Sequence, residues 1–460
     1  MKKLYMVTDL GPGDGGKGGV VHKIAHQEKA HTIVKVGGAQ GSHGVRTVEG
    51  DFFAFSQFGC GTFEGVRTYI SKRFVADPIA IMAEAQALEE VGVSNPLRLL
   101  SVSEAALCST LFHMAASQLR ELLFRDKPRG TIGSGVGQAY RLNESHPELS
   151  VFMRDLALPG LRDKLAALQV HYRNQFLEAL QELDRFQMID FKYVAETQSI
   201  LKNEKFVDAT CDLMRAFAAE RRIVADSYLA ENVLRRNGVV VSESSHGVLT
   251  DCYTGFHPHT SALRTLPRFT KALYEDAGYE GKIVSLGVHR AYQIRHGAGP
   301  MVTHDESMSA SLLPGSNKQE NRWQGSVRVG PLDLVSLRYA IAASGRDAYD
   351  ALAITWFDQV EKRGSWDIAT NYSGPLDLRF FTEAGDIRVR VGVGGVQLDY
   401  LAQLTQQLQT VTPVVSNIPL PARASRDELY KLCASTLYEH LGIPVRMISF
   451  GPTEQDKVCK

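Results

Sequence analysis

A glycine-rich turn close to the start of the chain restricts the fold more than any other feature of the sequence. It lies between the apolar run Leu4–Asp9, which predicts a buried strand, and Val20–His26, which has helical spacing. Residues 11–19 read GPGDGGKGG. A turn of this kind can place unpaired backbone N–H groups at a helix N-terminus, where phosphate is favoured. The segment therefore predicts a phosphate-binding turn, with a plain strand-to-helix turn as the alternative.

Two common nucleotide motifs fit this turn incompletely. Its first, third and sixth residues match G-x-G-x-x-G, a pattern that is not specific on its own. The stretch that ends at Lys17 also matches G-x-x-x-x-G-K, but Gly18 stands where a P-loop has Ser or Thr to hold Mg²⁺. A metal site here needs another oxygen ligand, and Asp14 within the turn supplies one.

Short apolar runs alternate with longer segments of helical spacing along the chain. The runs that predict further buried strands are Ile33–Val36, Val239–Glu243, Ile283–Leu286, Leu352–Phe357 and Met447–Phe450. The helical segments are Ile79–Val91, Glu104–Phe124, Leu161–Arg185 and Asn203–Asn237, while Arg141–Ser150 and His304–Gly330 read as long loops. This alternation predicts an α/β protein with a mostly parallel central sheet flanked by helices. Because no composition break marks a boundary, we expect one domain over residues 1–460, with a mostly helical insertion around residues 79–237.

The charge balance and the cysteine pattern exclude several classes of protein. Fifty-one Lys and Arg residues balance fifty-one Asp and Glu residues, so no overall field attracts nucleic acid or an anionic membrane. Because no run reaches roughly 18 apolar residues, we expect no membrane span. The six cysteines are scattered without a C-x-x-C pair, which favours reduced thiols in a cytoplasmic protein over a disulfide framework or a zinc site.

Seven segments, in order along nearly the whole chain, resemble the signature motifs of the adenylosuccinate synthetases. The first turn resembles GDEGKGK, with Gly15 in place of the family's Glu. GGAQGSH (37–43) resembles GGHNAGH, GTIGSGVGQAY (130–140) resembles GTTGRGIGPAY, and SESSHG (242–247) resembles FEGAQG. RHGAGP (295–300) is similar to RVGAGP, TWFD (355–358) to TKLD, and ISFGP (448–452) to ISTGP. On these motifs the chain is identified as a diverged member of that family.

The resemblance implies a P-loop NTPase-related architecture with long active-site loops, and a GTP-dependent ligase that forms a C–N bond. The oxygen at C6 of a hypoxanthine ring is a poor leaving group, and phosphorylating it makes phosphate the leaving group. By the resemblance, Asp14 acts as general base on N1 and ligates Mg²⁺ together with Ser42. His43 stabilises the transferring phosphoryl group. A carboxylate and an imidazole can serve as complementary base and acid near neutral pH.

Two groups of residues bind GTP according to the same resemblance. The phosphate end comprises Gly13, Gly16, Lys17, Gly18, Ser42 and Gly44, and the base end comprises Asp358, Ser449, Gly451 and Pro452. A carboxylate at Asp358 can accept from both N1–H and the 2-amino group of guanine, a donor pair that adenine lacks. Trp356 replaces the family's Lys and can cover the base by stacking.

The expected acceptor is a purine nucleoside monophosphate. The resemblance places Thr131 and Gly133 at its phosphate and His246 at its purine ring. The family has Gln at the position of His246, and a second phosphate-binding Thr at the position of Ile132. These two changes leave inosinate and an altered or deoxy purine nucleotide both open as acceptors.

The amine side departs most from the family. Its arginine loop TTGRRRRTGWLD aligns with RWQGSVRVGPLD at residues 322–333, where only Arg322 and Arg328 remain. Two guanidinium groups can still bind the two carboxylates of aspartate, which we expect as the amine donor. We also expect a homodimer, as in the family, although the arginine that crosses the family's dimer interface has no clear counterpart at 141–154. A guanine-nucleotide-binding regulator that has lost the ligase reaction is the alternative function.

Overall fold

The computed structural model describes residues 2–124, 129–176, 178, 191–314, 320, 323–345 and 347–460. Its strands are β1 (Lys2–Asp9), β2 (Thr32–Gly38), β3 (His43–Arg46), β4 (Phe52–Phe55), β5 (Arg67–Ala76), β6 (Leu100–Ser103), β7 (Leu107–Cys108), β8 (Ile223–Val224), β9 (Gly238–Gly247), β10 (Lys282–Arg290), β11 (Gln293–His296), β12 (Val327–Gly330), β13 (Leu332–Asp333), β14 (Ala351–Thr355), β15 (Ser365–Ser373), β16 (Thr412–Pro419), β17 (Val445–Ser449) and β18 (Lys457–Cys459). Its α-helices are α1 (Lys17–Gln27), α2 (Pro78–Glu90), α3 (Leu111–Phe124), α4 (Val136–Ser145), α5 (Leu161–Gln175), α6 (Phe191–Lys202), α7 (Lys205–Ala219), α8 (Pro267–Asp276), α9 (Glu306–Leu312), α10 (Leu334–Ser344), α11 (Phe357–Arg363), α12 (Gly395–Gln407) and α13 (Arg426–Leu441), and a π-helix spans Leu229–Leu234.

The main sheet confirms the predicted α/β class. Its strand order is β18-β17-β14-β10-β1-β9-β2-β5-β6-β8, with β7 also paired to β5. Neighbouring strands run parallel except for the antiparallel pair β17 and β18. Three smaller sheets pair β3 with β4, β11 with β12, and β13 with β15 and β16. Because parallel strands point the same way, the carboxyl ends of β1, β2, β9, β10 and β14 meet at one edge.

Both faces of the central strands are buried. In β2, Ile33 packs into one apolar cluster, while Val34 packs into another together with Leu273 of α8. Side chains alternate between the two faces of a strand, so helices must cover the sheet on both sides. Burying a side chain such as Val34 contributes roughly 1.5–3 kcal/mol. This packing fixes the strand ends that carry the site.

The predicted strands are confirmed, with shifts at two ends, and the strand predicted over Met447–Phe450 stops at Ser449. The strand predicted over Leu352–Phe357 stops at Thr355, and Phe357 begins α11. The predicted loop Arg141–Ser150 is wrong, because α4 continues to Ser145 and a short 3-10 turn, Pro147–Leu149, follows. The polar residues there form the outer face of an amphipathic helix, whose inner face buries Leu142.

The long helical segments are broken where short strands join the sheet. Within Glu104–Phe124 the helix begins only at Leu111, because β7 pairs with β5. Within Asn203–Asn237, β8 and the π-helix follow α7. In Leu161–Arg185, α5 ends at Gln175, and residues 177 and 179–185 lie outside the described part of the chain. The predicted loop His304–Gly330 contains α9 and β12, and its residues 315–319 and 321–322 are likewise outside it.

The segment between β5 and β9, where a mostly helical insertion is predicted, contains α2 to α7 together with β6, β7 and β8. Among the described residues, we find no helix with the length and apolar character that a bilayer crossing requires.

Candidate active site

A cavity of about 880 Å³ opens at the edge where the carboxyl ends of the central strands meet. Ligands of open parallel sheets bind at this kind of edge. The predicted site residues that line it are Gly13, Asp14, Gly16, Lys17, Gly18, Ser42, His43, Gly44, Thr131, Gly133, His246, Asp358, Ser449, Gly451 and Pro452. Two separate glycine-rich turns, after β1 and after β2, therefore bring Asp14 and His43 to the same cavity.

Hydrogen bonds hold the glycine-rich turn after β1 in a fixed shape. Asp9, fully buried at the end of β1, accepts from the backbone N–H groups of Gly11 and Gly15, each at 2.8 Å. Arg290, at the end of β10, donates from Nε to the backbone oxygen of Asp14 at 2.6 Å. Asp14 itself has a φ of 60°, a left-handed conformation that Asp adopts more readily than most residues. The backbone that carries this carboxylate is thus anchored to two strands of the sheet.

Lys17 forms a buried ion pair with Asp9, in which Nζ lies 2.9 Å from Oδ2. Burial alone raises the pKa of Asp9, but the Lys17 ammonium and the N–H of Gly15 hold that pKa below its ordinary value. Asp9 supports the site through the turn and Lys17, and the sequence motifs assign it no role. The sequence feature that could have indicated this role is an acidic residue at the end of a predicted buried strand, just before the glycine-rich turn.

The surroundings of Gly18 explain why no hydroxyl stands at this P-loop position. A Cβ atom on Gly18 would lie 2.6 Å from the backbone oxygen of Gly44 and 3.1 Å from Cβ of His43. A contact of 2.6 Å is too short, so a side chain at this position would force α1 and β3 apart. Any side chain at Gly18 therefore conflicts with the close packing that brings His43 beside the glycine-rich turn.

His43 belongs to a buried network centred on Glu243. Its Nδ1 lies 2.6 Å from Oε1 of Glu243, which also accepts from Nζ of Lys35 at 2.7 Å. The other carboxylate oxygen accepts from the backbone N–H of Cys60 at 2.9 Å. Burial alone raises the pKa of Glu243, but Lys35 and these donors hold it far below its ordinary value. Glu243 is therefore ionised, and its carboxylate accepts a hydrogen bond from the Nδ1–H group of His43.

The ring of His43 is neutral near pH 7. Burial lowers its pKa to about 4, and the ammonium groups of Lys17 and Lys35 oppose protonation further, although Glu243 favours it. The other ring nitrogen, Nε2, is buried and has no hydrogen-bond partner among the described residues. Nε2 is consequently the atom of His43 that a ligand in the cavity can engage.

His43, Cys60 and Glu243 offer ligand atoms within 4.8 Å of one another, but the charges around them do not suit a metal ion. The Lys35 ammonium already neutralises Glu243. Burial raises the pKa of the Cys60 thiol well above its ordinary value, whereas metal coordination by cysteine requires the thiolate. This cluster orients His43 through hydrogen bonds.

Gln40 and His246 meet on the wall of the cavity, where the side-chain amide nitrogen of Gln40 hydrogen-bonds Nε2 of His246. Burial lowers the pKa of His246 to about 3, and the charges of Lys17 and His43 contribute. A neutral imidazole offers one donor and one acceptor. His246 can therefore form the kinds of hydrogen bond that the family's glutamine amide forms at this position.

An aromatic ring and a carboxylate lie together where β14 ends. The backbone of Trp356 has a left-handed conformation, with a φ of 59°. The guanidinium carbon of Arg290 lies 4.3 Å from the centroid of the Trp356 ring. Asp358, in the first turn of α11, accepts from the side-chain amide of Gln359. The buried hydroxyl of Ser449 has no partner among the described residues. These groups suit a planar base with hydrogen-bond donors on its edge.

Thr131 marks another part of the cavity. Its backbone N–H donates to Oε1 of Glu121 at 3.1 Å, and its buried hydroxyl has no hydrogen-bond partner in the described part of the chain. The hydroxyl is therefore available to an anionic group of a ligand.

Of the two predicted amine-substrate residues, only Arg328 lies within the described part of the chain. Arg322 lies outside the described residues. Arg328 is not among the described residues that line the cavity, and its NH2 group donates to the carbonyls of Gly297 at 2.8 Å and Gly299 at 2.7 Å. Arg295, which the motif match includes without a role, does line the cavity. Burial lowers the pKa of Arg295 to about 9, with Arg328 adding repulsion.

Comparison with known proteins places the chain in one family. The sequence model described as adenylosuccinate synthetase matches residues 6–458. This chain belongs to the adenylosuccinate synthetase family. It is similar to the adenylosuccinate synthetase of Edwardsiella ictaluri strain 93-146, with 26% identity over 472 residues that cover 100% of this chain and 98% of that one. The corresponding protein of Proteus mirabilis strain HI4320 is 28% identical over 332 residues, 72% of this chain and 71% of that one.

Two solved structures share the fold. One is the fully ligated adenylosuccinate synthetase from Plasmodium falciparum, with a TM-score of 0.73, 17% identity and coverage of 99% of both chains. The other is the cyanophage S-2L succinoaminodeoxyadenylate synthetase bound to dGMP and dATP as an energy donor, with a TM-score of 0.57, 15% identity and coverage of 100% of this chain and 95% of that one. Adenylosuccinate synthetases are GTP-dependent ligases that form a C–N bond and in general require Mg²⁺, and membership identifies this chain as such an enzyme.

Proposed function

We propose that this adenylosuccinate synthetase family member transfers the γ-phosphoryl group of GTP to the 6-oxo oxygen of a purine nucleoside monophosphate, after which aspartate displaces phosphate. The products are an adenylosuccinate-type nucleotide, GDP and phosphate. One observation carries the proposal: Asp14 and His43 line a single cavity, which Asp358 and Thr131 also line. The cavity thus offers two nucleotides a general base, a general acid, a carboxylate that can recognise guanine and a hydroxyl that can bind phosphate.

Asp14 is the general base in this proposal. When its carboxylate takes the proton from N1 of the acceptor, electron density moves to O6, which attacks the γ-phosphorus as GDP leaves. The backbone oxygen of Asp14 is held by Arg290, so the carboxylate starts from a fixed position. Such preorganisation matters because a general base must lie within hydrogen-bond reach of the proton that it removes.

His43 acts on the phosphoryl group. Its ring is neutral in the protein alone, and the negative charge of a bound triphosphate favours protonation at Nε2. The Nε2–H can then donate to a phosphoryl oxygen, while Glu243 holds the opposite N–H and fixes the ring orientation. In the second half-reaction the same proton assists the departure of phosphate as the amine attacks C6.

Asp14 and Ser42 fit the predicted magnesium site in chemical type. Both line the cavity and offer the oxygen ligands that Mg²⁺ prefers, and Gly18 excludes the usual P-loop hydroxyl. When bound there, Mg²⁺ would neutralise charge on the phosphates during transfer.

The acceptor is the least constrained substrate. Inosinate is our first choice, because a relative named adenylosuccinate synthetase matches this chain over its whole length. A deoxy or 2-amino purine nucleotide is the second choice. It is supported by the solved relative that was bound to dGMP, and by His246 in place of the family's Gln. Aspartate is proposed as the amine donor. Arg295 and Arg322 are proposed to bind its two carboxylates in place of the family's arginine loop. We also propose a homodimer.

The direct test incubates the protein with GTP, Mg²⁺, aspartate and a panel of purine monophosphates that includes IMP and dGMP. Phosphate release and new nucleotide adducts are followed together, with Asp14→Ala as the control. We expect release with at least one acceptor, and a loss of about 10²–10⁴-fold in the control. GTP binding without phosphate release for any acceptor would favour the alternative of a guanine-nucleotide-binding regulator and reject the ligase.

A further inference from the structure

The glycine-rich turn after β1 lacks the lysine with which the family's signature ends. Residues 13–19 read GDGGKGG where the signature reads GDEGKGK, so Gly19 stands in place of the second lysine. Gly19 lies in the first turn of α1 and lines the cavity. A helix N-terminus favours negative charge, yet Lys17 is the one cationic side chain in the turn. A cation is therefore missing from this part of the sequence.

A lysine from the other end of the chain lies against Gly19. Lys457 begins β18, is only 6% exposed and lines the same cavity. A Cβ atom on Gly19 would lie 3.0 Å from Cε and 3.2 Å from Nζ of Lys457. The ammonium group of Lys457 thus lies in the space where a side chain at Gly19 would begin.

Lys457 also contacts the base end of the proposed GTP site. Its Nζ donates to the backbone oxygens of Pro452 at 3.2 Å and of Thr453 at 2.6 Å. The ammonium group therefore lies between the first turn of α1, at the phosphate end, and Pro452, at the base end. In a nucleotide that spans these two ends, the phosphate nearest to the nucleoside, the α-phosphate, falls beside this group.

The charge of Lys457 is not neutralised by a direct ion pair. Three of the described lysines line the cavity, namely Lys17, Lys362 and Lys457. Lys17 pairs with Asp9 at 2.9 Å. Lys362 pairs with Asp358 at 3.4 Å. Within the described part of the chain, the ammonium group of Lys457 has only the two carbonyl oxygens as hydrogen-bond partners and no carboxylate at salt-bridge distance.

The ammonium group of Lys457 is charged near neutral pH and has a donor to spare. Burial lowers its pKa to about 8, and Lys23 adds repulsion, while Asp456 and Glu454 favour the charged form. An ammonium group has three N–H donors, and the two carbonyls take two of them. A buried cation without a paired carboxylate is unfavourable, and a bound anion stabilises it.

We propose that Lys457 is a GTP-binding residue whose ammonium group contacts the α-phosphate, in place of the lysine that the turn lacks at Gly19. This assignment rests on the proposed GTP site. Lys457 lies outside all seven signature motifs, and only the fold brings it to the first turn of α1. Because guanine and adenine nucleotides share the α-phosphate, the contact adds affinity without selecting the base.

Binding of nonhydrolysable GTP and ATP analogues in the presence of Mg²⁺ tests the contact without relying on turnover. In Lys457→Ala, and in Lys457→Met, which keeps the length of the buried stem, both analogues should bind about 10- to 100-fold more weakly. The ratio of their affinities should stay the same, and guanosine, which has no phosphate, should bind as it does to wild type. Lys271→Ala, which removes an exposed lysine of α8 that pairs with Glu275, is the matched control and should change none of these affinities.

Two double variants separate a phosphate contact from a role in holding the turn at Pro452. Gly19 has a helical backbone without a positive φ, so it accepts a side chain once Lys457 is shortened. Gly19→Lys combined with Lys457→Ala returns an ammonium group to the same space from α1, and should regain most of the lost affinity for both analogues. Gly19→Met combined with Lys457→Ala fills this space without a charge and should regain none.

The contact would be overturned if Lys457→Ala and Lys457→Met bound both analogues as wild type does while Asp358→Asn lost the preference for GTP. A loss confined to the GTP analogue, or one shared by guanosine, would contradict it too, since Lys457 would then act on the base. Equal recovery with Gly19→Met, or none with Gly19→Lys, would reduce Lys457 to a structural role. If no variant changed analogue binding, Asp358→Asn included, the proposed GTP site itself would be wrong.

Discussion

The protonation of His43 is the residue-scale feature on which the phosphoryl-transfer step depends. Its pKa of about 4 means that the ring is neutral near pH 7 in the protein alone. A bound triphosphate places negative charge beside Nε2, which favours the protonated ring, so we expect a GTP analogue to raise the pKa of His43 towards or above 6.5. NMR titration of histidine-labelled protein, with and without a nonhydrolysable analogue and Mg²⁺, measures the change.

His113 provides an internal control for this titration. It is buried on α3, does not line the cavity, and has a pKa that burial lowers to about 3. Its signal should not respond to the analogue. A pKa of His43 that is equally unresponsive would show that Nε2 does not meet the phosphates.

Asp358 is expected to distinguish guanine from adenine. Asp358→Asn keeps the shape of the side chain but replaces one acceptor oxygen with a donor, which opposes the N1–H and 2-amino donors of guanine. The ratio of GTP to ATP affinity should fall by about 10- to 100-fold, as for the loss of hydrogen bonds to a charged group. Competition binding measures the ratio. Glu361→Gln, a charge removal on the exposed face of the same helix, is the control, and an unchanged ratio in Asp358→Asn would remove the guanine assignment.

At the residue scale, the motifs predict the side chains that line the cavity better than the residues that hold those side chains in place. Asp14, His43 and Asp358 all line the cavity, as the sequence predicts. Glu243 lies within a motif, yet its bond to His43 joins residues 200 positions apart. Arg290 reaches Asp14 across 276 positions. Such contacts depend on the order of strands in the sheet, which spacing along the chain does not determine.

At the scale of elements, the close packing of α1 against β3 defines the phosphate-binding region. Gly18 lies at their contact, where a Cβ atom would meet the backbone oxygen of Gly44 at 2.6 Å. Gly18→Ser would give the turn a P-loop sequence, but we expect GTP affinity to fall by about 10- to 100-fold, because overpacking moves α1 away from β3. Equilibrium binding of GTP measures this change.

Gly160→Ser serves as the control for this substitution. Gly160 precedes α5, and a Cβ atom there would meet nothing within 4 Å. This variant should bind GTP as wild type does. If Gly18→Ser bound GTP as tightly or more tightly, the turn would be an ordinary P-loop that lacks only its hydroxyl.

Elements with uniform apolar runs are the ones that the sequence predicts well. β1, β2, β9 and β10 have such runs and occupy the centre of the sheet. β5 is not predicted, because Arg67, Lys72 and Arg73 interrupt its apolar residues, and its place beside β2 comes from pairing. β7 and β8 have two residues each, too few for a periodic pattern.

At the scale of the whole molecule, residues from both ends of the chain form one cavity. The glycine-rich turn, the first turn of α11 at Asp358 and the C-terminal segment at Ser449 all line it. Departures from the family lie at the acceptor and amine sides, in Ile132, His246 and the sequence 322–333, and also at the GTP side, in Gly15 and Trp356. Asp14, His43 and Asp358 match the family's motifs. The conserved positions are those to which the proposed phosphoryl transfer and guanine recognition assign a role.

Tracing one oxygen atom tests the proposed chemistry most directly. The acceptor that supports phosphate release is prepared with ¹⁸O at the 6-oxo position and incubated with unlabelled GTP, Mg²⁺ and aspartate in unlabelled water. If O6 attacks the γ-phosphorus, each phosphate released with adduct formation carries one ¹⁸O atom, and the adduct carries none at C6. Phosphate that lacks the label, with ¹⁸O retained on the purine or lost to water, would show that GTP is hydrolysed without activating the acceptor oxygen.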